Sequence, residues 1–199
     1  MSKSMWDKEY DTEQYMYGKQ PNDFLEANYE QLPKGNILML AEGEGRNAIF
    51  LAKLGYQVTA VDISEVGLSK ACKLASENNV QIKTICTDLE HFDLGVQQWD
   101  GIVSIFCHLP AALRQSLYQR VELALKPKGV MLIEGYTPEQ LNYESGGPPV
   151  AEMMISKSIL VKELPHLQFS ILQELQREVI EGVKHSGLAA VVQAVAYAK

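Results

Sequence analysis

Hydrophobic and polar positions along this chain switch repeatedly between a period of two and a period near 3.6. Residues 36 to 42, NILMLAE, form a short apolar run that ends among glycines, and Ala48, Leu51 and Ala52 then recur at i, i+3 and i+4. That pattern predicts strand, turn and helix. A second unit follows, with β-branched residues in QVTAVDIS (57–64) and then Leu68, Ala71, Cys72 and Ala75 at helical spacing. QIKTICTD (81–88) and GIVSIFC (101–107) read as the third and fourth strands. Pro110 opens a helix carrying Leu113, Leu117, Val121 and Leu125, which KPKG ends, and VMLIEGY (130–136) reads as the fifth strand.

Strands that alternate with helices form right-handed βαβ units around a parallel sheet covered on both faces. The last third breaks the rhythm. After GGPP (146–149) the pattern predicts a helix from Ser156 to Leu164, then strands near 167–181 and 188–198 joined only by GVKHSG. So short a connector holds no crossover helix, so the two strands form an antiparallel hairpin. LAAVVQAVAYA is apolar on both faces, which places it inside the sheet, between the fifth strand and its hairpin partner. The expected fold is α/β: a doubly wound, Rossmann-like sheet of seven strands, mostly parallel, with a C-terminal antiparallel hairpin. The first 35 residues differ in kind. Trp6, Tyr10, Tyr15 and Tyr17 alternate with charges, and PNDFLEANYEQL reads as one helix starting at Pro21 or Asn22. These aromatics either dock on the sheet as a flap or help close a ligand site.

At 199 residues and 46% hydrophobic, the chain supports one sizeable core, so we expect a single domain over 1–199, with a flap and helix in 1–35 and the α/β core in 36–199. A net charge of −7 without a cluster of Lys and Arg argues against nucleic-acid binding. No apolar run is long enough to span a membrane, and the acidic N-terminus does not resemble a signal peptide. Cys72, Cys86 and Cys107 are too widely spaced for a metal or redox motif, which fits reduced thiols in the cytoplasm.

In such a sheet, ligands bind beyond the carboxyl ends of the strands. Gly43, Gly45 and Ala48 spell G-x-G-x-x-A, the spacing of a dinucleotide-binding turn. Asp62, 19 residues after Gly43, is placed to accept both hydroxyls of a ribose, Asp88 to reach an exocyclic amine, and Phe106 to lie against an adenine face. Glu42 and Glu44 discriminate between cofactors. Two carboxylates at the loop mouth repel a pyrophosphate, whereas S-adenosylmethionine offers a sulfonium and an ammonium group.

ILMLAEGEGRNA, VTAVDIS, CTDLE, WDGIVSIF and LKPKGVMLIE, in that order and closed by a hairpin, resemble the class I S-adenosylmethionine-dependent methyltransferases. Within them, GRNAIFLAKLGYQVTAVDIS and HSG resemble the tellurite-resistance and thiopurine-type small-molecule enzymes. The resemblance implies that the Ala41–Gly45 loop (Ala41, Glu42, Gly43, Gly45) contacts the methionine part, Asp62 with Ile63 the ribose, and Asp88 with Leu89 the adenine. Two positions depart from the family pattern: Met39 replaces an acid and Ala41 a glycine, and Glu42 then takes over the ammonium contact or faces solvent.

Methyl transfer needs an aligned nucleophile and no metal. Candidates for a substrate-side base are His108, Glu134, Tyr136 and His185. His108 either binds substrate or bonds the turn before its helix, and His185 is either a substrate contact or an exposed turn residue. The partner is a small-molecule methyl acceptor. Two other readings remain at this stage: an NAD-dependent oxidoreductase, favoured by the glycine spacing, and a nonenzymatic S-adenosylmethionine-binding module, favoured by the two departures.

Overall fold

The strand order is decided by which runs are apolar on both faces. In the computed structural model, which describes residues 2–199, Asn36–Leu40 (β1), Gln57–Asp62 (β2), Lys83–Cys86 (β3), Trp99–Ile105 (β4), Leu125–Tyr136 (β5), Gln168–Ile180 (β6) and Ser186–Tyr197 (β7) form one sheet in the order β3-β2-β1-β4-β5-β7-β6. The first five strands run parallel, with Leu38 opposite Thr59 on one side and Ile102 on the other. β7 is antiparallel to both neighbours and sits between them, and residues 189–196 are buried, as a strand apolar on both faces requires.

Helices cover both faces. Arg46–Lys53 (α3) and Glu65–Glu77 (α4) bury Leu51, Leu68 and Leu74 on one side, while Ala111–Ala124 (α5) and Lys157–Glu163 (α6) bury Leu117, Val121 and Leu160 on the other. No helix of the described residues is long and apolar enough to cross a membrane.

Local chemistry moved several boundaries. Lys3–Tyr10 forms a helix (α1) that the charged, aromatic pattern did not announce; Ser2 caps it by accepting the Met5 N–H. The helix expected over residues 21–32 is Asp23–Asn28 (α2), capped by Asn22, followed by a single 3₁₀ turn at Tyr29–Gln31. KPKG does not lie between elements. The helix ends at Ala124 and β5 begins at once at Leu125, because Leu125 pairs with Trp99 and Lys128 takes a left-handed φ of 64° that resets the register.

Gly45 caps α3 at φ 89°, and a Cβ there would lie 2.6 Å from the Ala71 Cβ and 2.9 Å from its Cα. Gly45→Ala should therefore cost about 2–4 kcal/mol, combining backbone strain with overpacking. Gly55, at φ 85° with open space around its added Cβ, is the control: Gly55→Ala should cost only about 1 kcal/mol. Urea unfolding of both variants measures the difference, and equal costs would remove the steric account.

Candidate active site

The loop leaving β1 is shaped by hydrogen bonds to one buried acid. Asp62 ends β2, and its two carboxylate oxygens accept the N–H groups of Gly43 and Ser64, each at 2.8 Å. Burial pushes its pKa up and these backbone donors pull it back down. Ala41 takes φ 50°, the left-handed conformation that favours glycine, which explains why a glycine is usual there. The two glutamates part company. Glu44 turns inward, where Lys70 neutralises it and the Tyr17 N–H donates to it at 3.2 Å. Glu42 accepts the Ala48 N–H at 2.7 Å at the start of α3, and desolvation pushes it up to about 7, partly offset by that donor and the Arg46 charge. The loop mouth thus carries one carboxylate available to a cation, not the two expected.

On the far side, Asp88 accepts the His91 N–H at 2.8 Å, which holds its carboxyl below the usual range, and it also bonds the His91 ring. With Glu90 these residues bring three donor-type atoms within 4.8 Å at an outer turn; the Asp88–His91 contact accounts for the grouping. Leu89 is buried, its carbonyl accepting from Arg120 at 2.6 Å, and Ile63 is half-buried beside Cys86.

The strand ends on the β4–β5–β7 side carry an aromatic cluster. Phe106 follows β4 at φ 51°, and its ring lies 4.6 Å from Tyr136 and 4.5 Å from His185. It therefore groups with these side chains rather than with Asp88, where an adenine contact was expected. His108 stacks on Tyr136, and its Nε2 accepts the Tyr136 N–H at 3.0 Å. Burial lowers it to about 4, so the ring is neutral and its acceptor nitrogen is occupied by the turn. Tyr136 is fully buried and pushed up by desolvation. His185 is not an exposed turn residue: it is 7% exposed, with Tyr17 packed edge-on at 4.8 Å.

Glu134 belongs to a different construction. Its two oxygens accept from Arg177 Nε at 2.9 Å, Arg177 Nη2 at 2.8 Å, Gln193 Nε2 at 2.7 Å and Asn22 Nδ2. Four donors fill its lone pairs and leave none for a substrate proton, so its candidacy as a base ends here. Arg177 continues the chain to Glu181 at 2.6 Å, and Arg46 pairs with Glu181. This buried network ties α2, α3, β5 and the end of β6 together.

Comparison with known proteins gives the family likeness of this fold. Residues 37–129 match the model of the methyltransferase domain family. The core is thus similar to a methyltransferase domain. A ubiquinone biosynthesis O-methyltransferase of Rickettsia bellii is 24% identical over 109 residues, 55% of this chain and 45% of that one. The chain therefore spans about half the length of the curated relatives it matches. TehB of Haemophilus influenzae superposes at a TM-score of 0.71 with 20% identity, covering 99% of this chain and 67% of that one. The N-methyltransferase NodS of Bradyrhizobium japonicum, solved with S-adenosyl-L-homocysteine, gives 0.70 with 13% identity, covering 98% and 97%.

The fold also holds residues that sequence reasoning missed. Lys70 donates to the carbonyls of Tyr10, Thr12 and Gln14 at 3.2, 3.0 and 2.7 Å, and so straps the N-terminal segment over the Ala41–Gly45 loop. Tyr10 reaches so close that its hydroxyl would stand 2.5 Å from a Cβ on Gly43. Asn22, Arg177, Glu181 and Gln193 carried no local motif. The one available signal was a pair of opposite charges, Arg177 and Glu181, at the end of an otherwise alternating strand.

Proposed function

We propose that this chain transfers a methyl group from S-adenosylmethionine to a small-molecule acceptor, with residues 1–199 acting as one unit. The observation that carries the reading is the donor set at the strand ends. Asp62 keeps a lone pair on each oxygen for the two hydroxyls of a ribose, since each oxygen already accepts one backbone N–H. Glu42 is a half-buried carboxylate, held by backbone rather than by a cation, and suits an ammonium group. Gly43 lets Tyr10 close down on the loop, since a Cβ there would stand 2.5 Å from the Tyr10 hydroxyl. Asp88 and Leu89 end the cleft where an adenine would be read. Among the described residues no basic side chain is free at the loop for a pyrophosphate, since Arg46 and Lys70 are committed to Glu181 and Glu44.

The bound cofactor supplies a methyl carbon activated by a sulfonium. The chain's own part is to bind, align and dry the site. Tyr10 and the Lys70 strap cover the loop, and Phe106, Tyr136 and Tyr17 form an apolar wall on the acceptor side. That wall has no fixed charge, which favours a small, uncharged acceptor over a nucleic acid or membrane surface. Three free cysteines suit a reducing compartment such as the cytoplasm.

Calorimetric titration with S-adenosylhomocysteine, S-adenosylmethionine and NAD in parallel tests this. Binding of the first two without NAD is the expected result, and Asp62→Ala should weaken S-adenosylhomocysteine more than tenfold through loss of charge-assisted hydrogen bonds. Binding of NAD alone, or of none of the three, would overturn the proposal.

A further inference from the structure

His185 is the one imidazole of the cluster with a buried nitrogen that bonds nothing: among the described residues its Nδ1 has no hydrogen-bond partner. Its surroundings explain why this is unusual. Phe106 at 4.5 Å, Tyr17 at 4.8 Å and Tyr136 at 5.4 Å all meet its ring edge-on, and its own carbonyl accepts the Glu181 N–H at 2.8 Å. A buried polar atom without a partner is costly and calls for a physical reason. A bare lone pair costs less than a bare N–H, so the ring proton sits on Nε2 and Nδ1 is an acceptor. Of the three rings, Phe106 and Tyr136 end strands of the sheet, whereas Tyr17 belongs to the N-terminal strap. Tyr17 is thus the ring that gives way when something approaches Nδ1.

Resting on the methyltransferase reading above, we propose that His185 is a catalytic residue: with Tyr17 displaced, its Nδ1 accepts the proton of a small, uncharged aromatic acceptor bearing a hydroxyl or thiol group. The acceptor's oxygen or sulfur forms the new bond to the methyl carbon. The bond from that carbon to the cofactor sulfur breaks with its electron pair staying on sulfur, and the acceptor's proton moves to Nδ1. One positive charge leaves the sulfonium and one arrives on the imidazole, so the charge of the site is unchanged across the step. This suits a site whose nearby charges, Arg46 and Arg177, are already matched by Glu134 and Glu181. An acceptor with a charge that methylation leaves in place would find no counter-ion there.

The test uses phenol and thiophenol as probe acceptors with the intact chain at saturating S-adenosylmethionine, following S-adenosylhomocysteine release. Phenol keeps its proton near neutral pH, whereas thiophenol largely sheds it in water. The expected result is phenol turnover in the wild type that is flat from pH 6 to 9, because burial and the Arg46 and Arg177 charges keep His185 neutral, with Tyr17 and Tyr136 also un-ionised. His185→Phe, which preserves ring packing, should lower kcat for phenol about 100-fold or more. It should also make the remaining rate climb about tenfold per pH unit, as solvent base takes over, while thiophenol is largely spared. His185→Gln should behave likewise. Calorimetry with S-adenosylhomocysteine reports the cofactor reading separately, and in both variants its affinity should stay within about twofold. Unchanged phenol turnover in His185→Phe, or cofactor binding without turnover of either probe by the wild type, would overturn this inference and leave the cofactor assignment standing.

Discussion

Arg177→Met is expected to lower the stability of the free protein by about 3–5 kcal/mol, the cost of leaving a buried charge without its partner. Glu134 has no exposed side-chain surface, and among the described residues Arg177 is its only cation; Asn22 and Gln193 remain as neutral donors. Burial opposes the Arg177 charge, but Glu134 and Glu181 outweigh that and hold it firmly protonated. Glu181 suffers less, because Arg46 stays paired with it. For a chain of this size the loss corresponds to a fall in Tm of roughly 10 °C. The double variant Arg177→Met, Glu134→Gln should recover a large part of the loss, since no unpaired charge is then buried. Urea unfolding of the three proteins checks both statements, and a double variant no better than the single one would mean the arginine acts by packing alone.

Glu42→Gln should move stability and cofactor affinity in opposite directions. The Gln oxygen can still accept the Ala48 N–H, so the cap on α3 survives. In the wild type the folded-state pKa of Glu42 stands near 7 against 4.5 for the free side chain. A raised pKa means that the folded state holds its proton more tightly. The contribution is fully present below about pH 4.5 and is lost as the pH rises towards 7 and above. At 1.36 kcal/mol per pH unit, ionised Glu42 costs the free protein roughly 3 kcal/mol at pH 8. Glu42→Gln is therefore neutral at pH 4.5 and stabilising by about 1–3 kcal/mol at pH 8, allowing for burial of the amide. With S-adenosylmethionine the sign reverses. A bound ammonium favours the ionised carboxylate, so wild-type affinity should rise with pH between about 6 and 8, while the variant binds at least tenfold more weakly at pH 8 and shows no such rise. A stability difference independent of pH would show that Glu42 is an ordinary surface acid.

Both predictions concern residues that differ in how far the chain alone reveals them. Glu42 lies inside the glycine loop and was legible as a departure from the expected motif. What could not be read was its partner. A one-residue difference in the turn decides whether a carboxylate faces ligand, solvent or a helix N-terminus, and Glu44, two residues on, was captured by Lys70, 26 positions away. Glu134 was legible only as an acid at a strand end, which fitted a base equally well. Its partners come from positions 22, 177 and 193, which meet through the order of the strands and not through any local spacing. His185 shows the same limit in reverse. A short connector between strands suggested exposure, and the N-terminal strap buried it.

What the sequence by itself determined was the sheet: seven strands, their parallel and antiparallel sense, and β7 inside the sheet. Each of these follows from local periodicity and from connector length, which act over a few residues. It also determined the acids at the ends of β2 and β3, because strand termini place them without further help. The tertiary structure alone decided the paired Glu44, the saturated Glu134, the occupied His108 and the bare Nδ1 of His185. Hydrogen-bond partners are a property of distance in space, and for Glu134 and His185 that distance is set by segments more than a hundred residues apart: the N-terminal strap with its helix, and the C-terminal hairpin.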